Sequence, residues 1–122
     1  NIEDPENIQE VGHYFSNPGH VVHNVHVHGD LAFVSYYIDG IVVLDISDPT
    51  NPIKTGFYDT LDDPDHRTRT PDDHDFPDTH EHDGNIMNGA WGIWPYGNHI
   101  AVGDMQRGLI LLDYVPRRVT PP

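Results

Sequence analysis

The residues best suited to chemistry in this sequence are histidines, and they cluster in two short segments. The first segment contains His23, His26 and His28. Because successive side chains of a β-strand point to opposite faces, an extended segment places His26 and His28 on one face. Two imidazoles spaced in this way can chelate Zn, Cu, Fe or Ni, and His23 could join them. A His-x-His pair supplies only half of a usual four-ligand zinc site, so histidines that bind no metal are the alternative.

A second pair with the same spacing, His80 and His82, lies in a long acidic insertion and is flanked by Asp78 and Asp83. If this insertion folds back over the first pair, up to four imidazoles would meet at one site. Asp78 or Asp83 would then bind the metal or a ligating histidine. The two pairs together predict a shared metal site, which requires that they lie close together and point to the same side of the sheet.

The acidic insertion also suggests a cation of a different kind. Residues 59–84 contain nine Asp, one Glu and two Arg, so −8 of the net charge of −14 lies there. Carboxylate oxygens suit Ca²⁺, which takes six to eight oxygen ligands. The alternative is a solvated loop, because the segment has too little apolar surface to offset its ordering entropy. The cofactor expectation is therefore Ca²⁺ or a His-ligated transition metal, and otherwise none.

The composition excludes several classes of function. The chain has 122 residues, with 6 basic and 20 acidic side chains and no Cys. A net charge of −14 argues against binding to nucleic acid, which needs clustered Lys and Arg. The lack of Cys removes disulfides, thiolate catalysis and Cys-type zinc sites. No apolar run is long enough for a membrane span, and no nucleophile elbow or phosphate-binding loop is present.

Two internal repeats organise the chain. Residues 4–14 align with residues 48–58 at an offset of 44, through Asp-Pro-x-Asn followed by Gly-x-Tyr. Two further segments align at an offset of 68, residues 29–34 with 97–102 and residues 40–45 with 108–113. The difference between the offsets, 24, equals the length of the insertion at residues 62–85. The unit is therefore about 44 residues long, and it occurs once with a polar insertion.

Each unit is predicted to be a set of short antiparallel strands. β-Branched and aromatic residues predict strands at residues 21–28, 31–37, 40–46 and 53–58, and Asp39-Gly40 is a hairpin signal. No segment has a convincing helical period. Four antiparallel strands in about 40–45 residues are typical of the blade of a β-propeller, so the fold class is all-β. A small β-sandwich is the alternative.

The phase of the repeat predicts a partial propeller of about two to two and a half blades. Residues 1–20 would end one blade, 21–61 form a blade, 62–85 form the insertion, 86–115 form the last blade, and 116–122 form a tail. Propellers typically close with about 4–8 blades. We therefore expect a fragment of a longer protein, or a unit that needs other blades, copies or chains to complete the propeller.

The segment from Gly40 to Pro52 resembles the LVIVD repeat, which has a Gly before an apolar strand that ends in Asp, and an Asp-Pro-x-x-Pro turn after it. Residues 89–96, with Trp91 and Trp94, resemble the last blades of secreted choice-of-anchor B proteins. The chain departs from this pattern in its acidic insertion and at Pro116-Arg117, where the turn should recur. The resemblance implies a propeller outside the cell and implies no established chemistry.

Two hypotheses follow. The first is a non-catalytic extracellular or cell-surface propeller module with a binding or structural role, in which divalent cations could order the insertion. The alternative is a metal-dependent enzyme or metal carrier that uses the clustered histidines. The aromatic side chains are expected to pack in the core or between blades rather than to form a ligand platform. They are Phe33, Tyr36, Tyr37, Trp91, Trp94 and Tyr96.

Overall fold

The computed structural model describes residues 4–61 and 87–115, and these residues form two antiparallel β-sheets and no helix. The first sheet has four strands in the order β1-β2-β3-β4, and the second has three in the order β5-β6-β7. The strands are β1 (Asn24–His28), β2 (Leu31–Ser35), β3 (Ile41–Asp45), β4 (Ile53–Tyr58), β5 (Ala90–Tyr96), β6 (His99–Asp104) and β7 (Gly108–Asp113). The predicted all-β class of antiparallel blade-like sheets is confirmed.

The turn between β2 and β3 shows why the hairpin forms at Asp39-Gly40. Gly40 has a φ of 72°, which only glycine adopts without strain, and its N–H donates to the carbonyl of Tyr37. A side chain at Gly40 would also collide with β4, because its Cβ would lie 2.2 Å from the carbonyl oxygen of Tyr58. A glycine at this position therefore lets β2, β3 and β4 pair closely.

The two faces of the first sheet have different partners. Phe33, Ile41 and Val43 share one face and are buried against Ile93 and Val102 of the second sheet. On the opposite face, a second apolar cluster packs against Tyr14 of the N-terminal segment. It contains Ala32, Val34, Tyr36, Val42 and Leu44. The first sheet is thus covered on both sides, which explains the nearly continuous apolar character of β2 and β3.

The sheets are also joined through their backbones. Tyr37 and Ala90 form an isolated antiparallel bridge, in which each N–H donates to the other carbonyl at 3.0 Å. At the other end of the interface, the ring of Phe33 meets the ring of Tyr114 edge-on at 5.6 Å. These contacts align the second sheet with the face of the first. No helix in the described ranges is long and apolar enough to cross a membrane.

Three details differ from the expectations. The strand predicted at residues 21–28 begins only at Asn24, and the strand predicted at 31–37 ends at Ser35, because Tyr37 has a positive φ and enters the turn. Within the described residues the second sheet has three strands rather than four. Phe33 and Tyr36 are buried in the core, as expected. The aromatic residues Trp91, Trp94 and Tyr96 of β5 are exposed rather than in the core, although the rings of Trp91 and Trp94 contact His23 and His26.

Candidate functional site

His23, a predicted metal ligand, joins the two sheets. Its Nδ1 donates to the carbonyl oxygen of Trp91 at 2.7 Å, and its Nε2 accepts from the Trp91 indole N–H. These partners assign the neutral tautomer with the proton on Nδ1. Both ring nitrogens of His23 are therefore engaged by one residue, and a metal ion would have to displace the indole to reach Nε2.

A β-bulge makes this contact possible. The register between β5 and β6 shifts between Ala90 and Gly92, so Trp91 has no opposing residue in β6. Its carbonyl oxygen turns toward the first sheet instead and accepts a 2.6 Å hydrogen bond from the hydroxyl of Ser35. Ser35 is fully buried and also accepts a hydrogen bond from the N–H of Asn24. The bulge thus connects the start of β5 to β1 and β2.

His26 and His28 lie on the same face of β1, opposite Phe33 and Leu31 of β2, as the alternation of strand side chains predicts. The ring of His26 meets the ring of Trp94 edge-on, with centroids 4.5 Å apart. His28 lies at the exposed end of the strand. His23 and His26 each contact the residue 68 positions later, so the repeat places equivalent positions of β1 and β5 side by side.

The predicted shared metal site depends on residues of the insertion. His80, His82, Asp78 and Asp83 lie outside the described residues, so the shared site stays a prediction. Within residues 4–61 and 87–115, no group of three or more His, Asp or Glu side chains comes together in a way that could hold a metal ion.

A buried polar cluster that the sequence analysis did not identify lies at the turn between β2 and β3. One carboxylate oxygen of Asp39 accepts from Asn17 Nδ2 at 2.9 Å and from His20 Nδ1 at 2.8 Å. The His20 and Asp39 side chains are only 10% and 11% exposed. Burial, together with nearby Tyr36 and Asp39, raises the pKa of Tyr14. The cluster ties residues 14–20 to the first sheet. In the sequence Asp39 indicates only a turn, and no local pattern indicates its partners.

One face of the second sheet exposes several large apolar side chains. We call this the outer face, and it consists of Trp94, Tyr96, Ala101, Leu109 and Leu111, which share one side of the sheet. Four of these side chains are highly exposed: Trp94 61%, Tyr96 75%, Leu109 72% and Leu111 71%. Contiguous apolar patches of this kind mark interaction sites in soluble proteins.

A shallow groove of about 420 Å³ lies next to the outer face. Its floor is formed by residues without side chains, Gly92, Gly103 and Gly108, and Trp91 and Met105 line it as well. Glycine at these positions leaves the backbone of the second sheet open to close approach by another chain. The outer face and this groove together form a surface suited to packing against another chain.

Comparison with known proteins bears on the first sheet. Residues 16–60 match the family model of the LVIVD repeat, which supports the repeat predicted from the Gly40–Pro52 motif. This matched segment contains all four strands of the first sheet. No curated protein and no solved structure matches the chain. The LVIVD repeat suggests a β-propeller-type module.

Proposed function

We propose that this chain is a non-catalytic binding or structural module of β-propeller type that acts outside the cell or at the cell surface. The LVIVD repeat and the stacking of two blade-like sheets support the module. The resemblance of residues 89–96 to the last blades of secreted choice-of-anchor B proteins supports the location. The engagement of His23 by Trp91 gives that histidine a structural role and favours this function over a His-based metal centre.

The main support for the proposal is that two surfaces at equivalent positions of the repeat differ in burial. One is covered by a neighbouring sheet, and the other is exposed. Ile41 and Val43 of β3 are buried against the second sheet. The residues 68 positions later, Leu109 and Leu111 of β7, are exposed on the outer face. The outer face therefore repeats the surface that the first sheet uses to bind the second. By this equivalence its partner is another sheet of the same repeat, packed as the second sheet packs on the first.

This interface is heterologous, because the two sheets use different faces to contact each other. The first sheet contributes Phe33, Ile41 and Val43, whereas the second contributes Ile93 and Val102 from its inner side. Heterologous contacts continue from unit to unit until a ring closes. The other blades needed for a ring would be supplied by further sequence, by further copies or by other chains.

Self-association of the 122-residue chain tests the proposal. A double variant, Leu109→Lys with Leu111→Lys, places two charges on the outer face and should abolish association in sedimentation velocity runs over a concentration series. Glu6→Lys is the matched control, because it changes the net charge by the same +2 on an exposed loop. Association that is absent in the parent chain, or equal in the double variant and the control, would contradict the proposed packing surface.

Elemental analysis separates this function from the enzyme or metal-carrier alternative. Protein purified without added metal should contain no stoichiometric Cu, Zn, Fe or Ni if the module is non-catalytic. A stoichiometric transition metal that is lost in a double variant, His26→Ala with His28→Ala, would overturn the proposal. Calcium alone would be compatible with it, because carboxylate-bound Ca²⁺ can order a loop without catalysis.

A further inference from the structure

Within the part of the chain that the structure describes, β7 is an edge strand of the second sheet. In the first sheet, β3 pairs with β2 on one side and with β4 on the other. The equivalent strand of the second sheet, β7, pairs with β6, and within the described residues its other edge carries no strand. An edge strand presents a row of backbone N–H and C=O groups that can pair with another chain.

A groove marks the place where a fourth strand would lie. It has a volume of about 470 Å³ and runs between β4 of the first sheet and the end of β7. Gly56 and Tyr58 of β4 line one side, and Leu112 and Tyr114 line the other. Since the exposed side chains of Tyr58 and Val115 also line it, an added strand would cover apolar surface as well as gain backbone hydrogen bonds.

The chain itself contains a segment that is equivalent in the repeat to β4, the strand with no described counterpart beside β7. Residues 10–15 align with residues 54–59, most of β4, at the offset of 44, which pairs Gly12 with Gly56 and Tyr14 with Tyr58. Burial alternates along the segment, with Gly12 and Tyr14 inward and Val11, His13 and Phe15 exposed. This is the period of a β-strand, although the segment belongs to no strand in the structure.

Residues 10–15 lie on the wrong side of the molecule to reach β7 of the same copy. Tyr14 packs against the apolar cluster of Val34 and Val42. The second sheet covers the opposite face of the first sheet, through Phe33 and Val43. The first sheet therefore separates the segment from β7, and a second copy is the available source of such a strand.

We propose that residues 10–15 of one copy add to β7 of a second copy as the fourth, antiparallel strand of its second sheet. The register follows from β4 on β3, where Tyr58 faces Ile41 and Gly56 faces Val43. Tyr14 then faces Leu109, and Gly12 faces Leu111. This inference rests on the proposed β-propeller-type module. It assigns residues 10–15 of a second copy as the partner of the β7 edge.

Cross-linking between copies tests the register. The chain has no Cys, so a Tyr14→Cys chain and a Leu109→Cys chain each carry one thiol. Directly opposed residues of antiparallel strands have Cα atoms about 4.5–5.5 Å apart, which is within the range for a disulfide. Oxidation of the mixture should give the mixed disulfide, identified by mass spectrometry, in clear excess over the mixture with Ile110→Cys. Equal yields with Leu109→Cys and Ile110→Cys would overturn the proposal.

Proline at Tyr14 tests the backbone pairing. In the proposed register Tyr14 and Leu109 form a hydrogen-bonded pair, as Tyr58 and Ile41 do, so the N–H of Tyr14 faces β7. Tyr14→Pro removes this N–H and should weaken dimerisation by more than about tenfold relative to Tyr14→Ala, because proline cannot donate to the ladder. Tyr14→Ala is the matched control, since it removes the same side chain and keeps the N–H. Dimerisation equal in the two variants would overturn the strand exchange. If association survives Tyr14→Pro but not the Leu109→Lys and Leu111→Lys substitutions, the proposed function stands and this inference fails.

Discussion

The hydroxyl of Ser35 donates a 2.6 Å hydrogen bond to the carbonyl oxygen of Trp91, across the interface between the two sheets and 56 residues along the chain. We expect Ser35→Ala to lower the free energy of unfolding by roughly 1–3 kcal/mol, because it removes the hydrogen bonds of a fully buried hydroxyl. Chemical denaturation would measure the loss. Glu6→Ala, at an exposed position, should change stability by less than about 0.5 kcal/mol. Similar effects of both substitutions would contradict a role for Ser35 in joining the sheets.

Alanine substitutions at two glycines with positive φ would distinguish the cost of backbone strain from the cost of a steric collision. Gly40 has a φ of 72° and a carbonyl 2.2 Å from any added Cβ, whereas Gly97 has a φ of 58° and open space around it. Gly97→Ala should lower the free energy of unfolding by about 1–2 kcal/mol, the usual penalty for a residue with a side chain in the left-handed region. Gly40→Ala should lower it by clearly more than this, because β4 must also move. Thermal denaturation would measure both, and equal losses of stability would show that the close approach to Tyr58 has no energetic consequence.

The raised pKa of Tyr14 predicts a loss of stability in alkali. Burial is its main cause, so the unfolded chain deprotonates first as the pH rises above 10.0, the ordinary value for tyrosine. The free energy of unfolding should therefore fall above pH 10 until the folded Tyr14 also ionises. The Tyr14→Phe variant should lack this part of the loss of stability, whereas Tyr96→Phe, at an exposed position, should keep it. Denaturation midpoints between about pH 9 and 12 would measure the dependence of stability on pH. The same dependence in the parent chain and both variants would contradict this role of Tyr14.

Asp45 and Asp48 should titrate below their usual range. Hydrogen bonds from Ser47 lower the pKa of Asp45, and hydrogen bonds from Thr50 lower the pKa of Asp48. Each carboxylate therefore stabilises the fold above the ordinary value of 3.8, and this contribution is lost as the pH falls below it. Ser47→Ala should raise the pKa of Asp45 only, and Thr50→Val that of Asp48 only. Carboxyl carbon chemical shifts followed by NMR would measure both, and each variant is the control for the other.

The net charge of −14 predicts that salt stabilises the chain. Repulsion among excess carboxylates opposes the compact state, and ions at about 0.3 M screen charges more than about 6 Å apart. The melting temperature should rise by several degrees between about 20 mM and 0.3 M NaCl. A further rise with Ca²⁺ that a chelator reverses would indicate that the acidic insertion binds the cation. Equal melting temperatures in low and high salt would rule out the screening effect.

The positions of the strands could be predicted from sequence because local rules decide them. Strands β6 and β7 occur 68 residues after β2 and β3, as the repeat predicted. The hairpin at Gly40 follows from one residue that tolerates a positive φ. Both features depend on side-chain alternation and turn chemistry within a few residues, which a single sequence displays directly.

The partners of the candidate site residues were decided by the tertiary structure. The sequence predicts a metal-ligand role for His23, and in the structure its ring forms hydrogen bonds with Trp91, whose carbonyl a bulge in β5 turns toward the first sheet. Asp39 gathers Asn17 and His20 from a segment about 20 residues away. Neither contact follows from local spacing, because each needs two elements packed against each other. Whether an apolar side chain is core or surface also depends on a neighbouring sheet, so Val43 is buried while its repeat equivalent Leu111 is exposed.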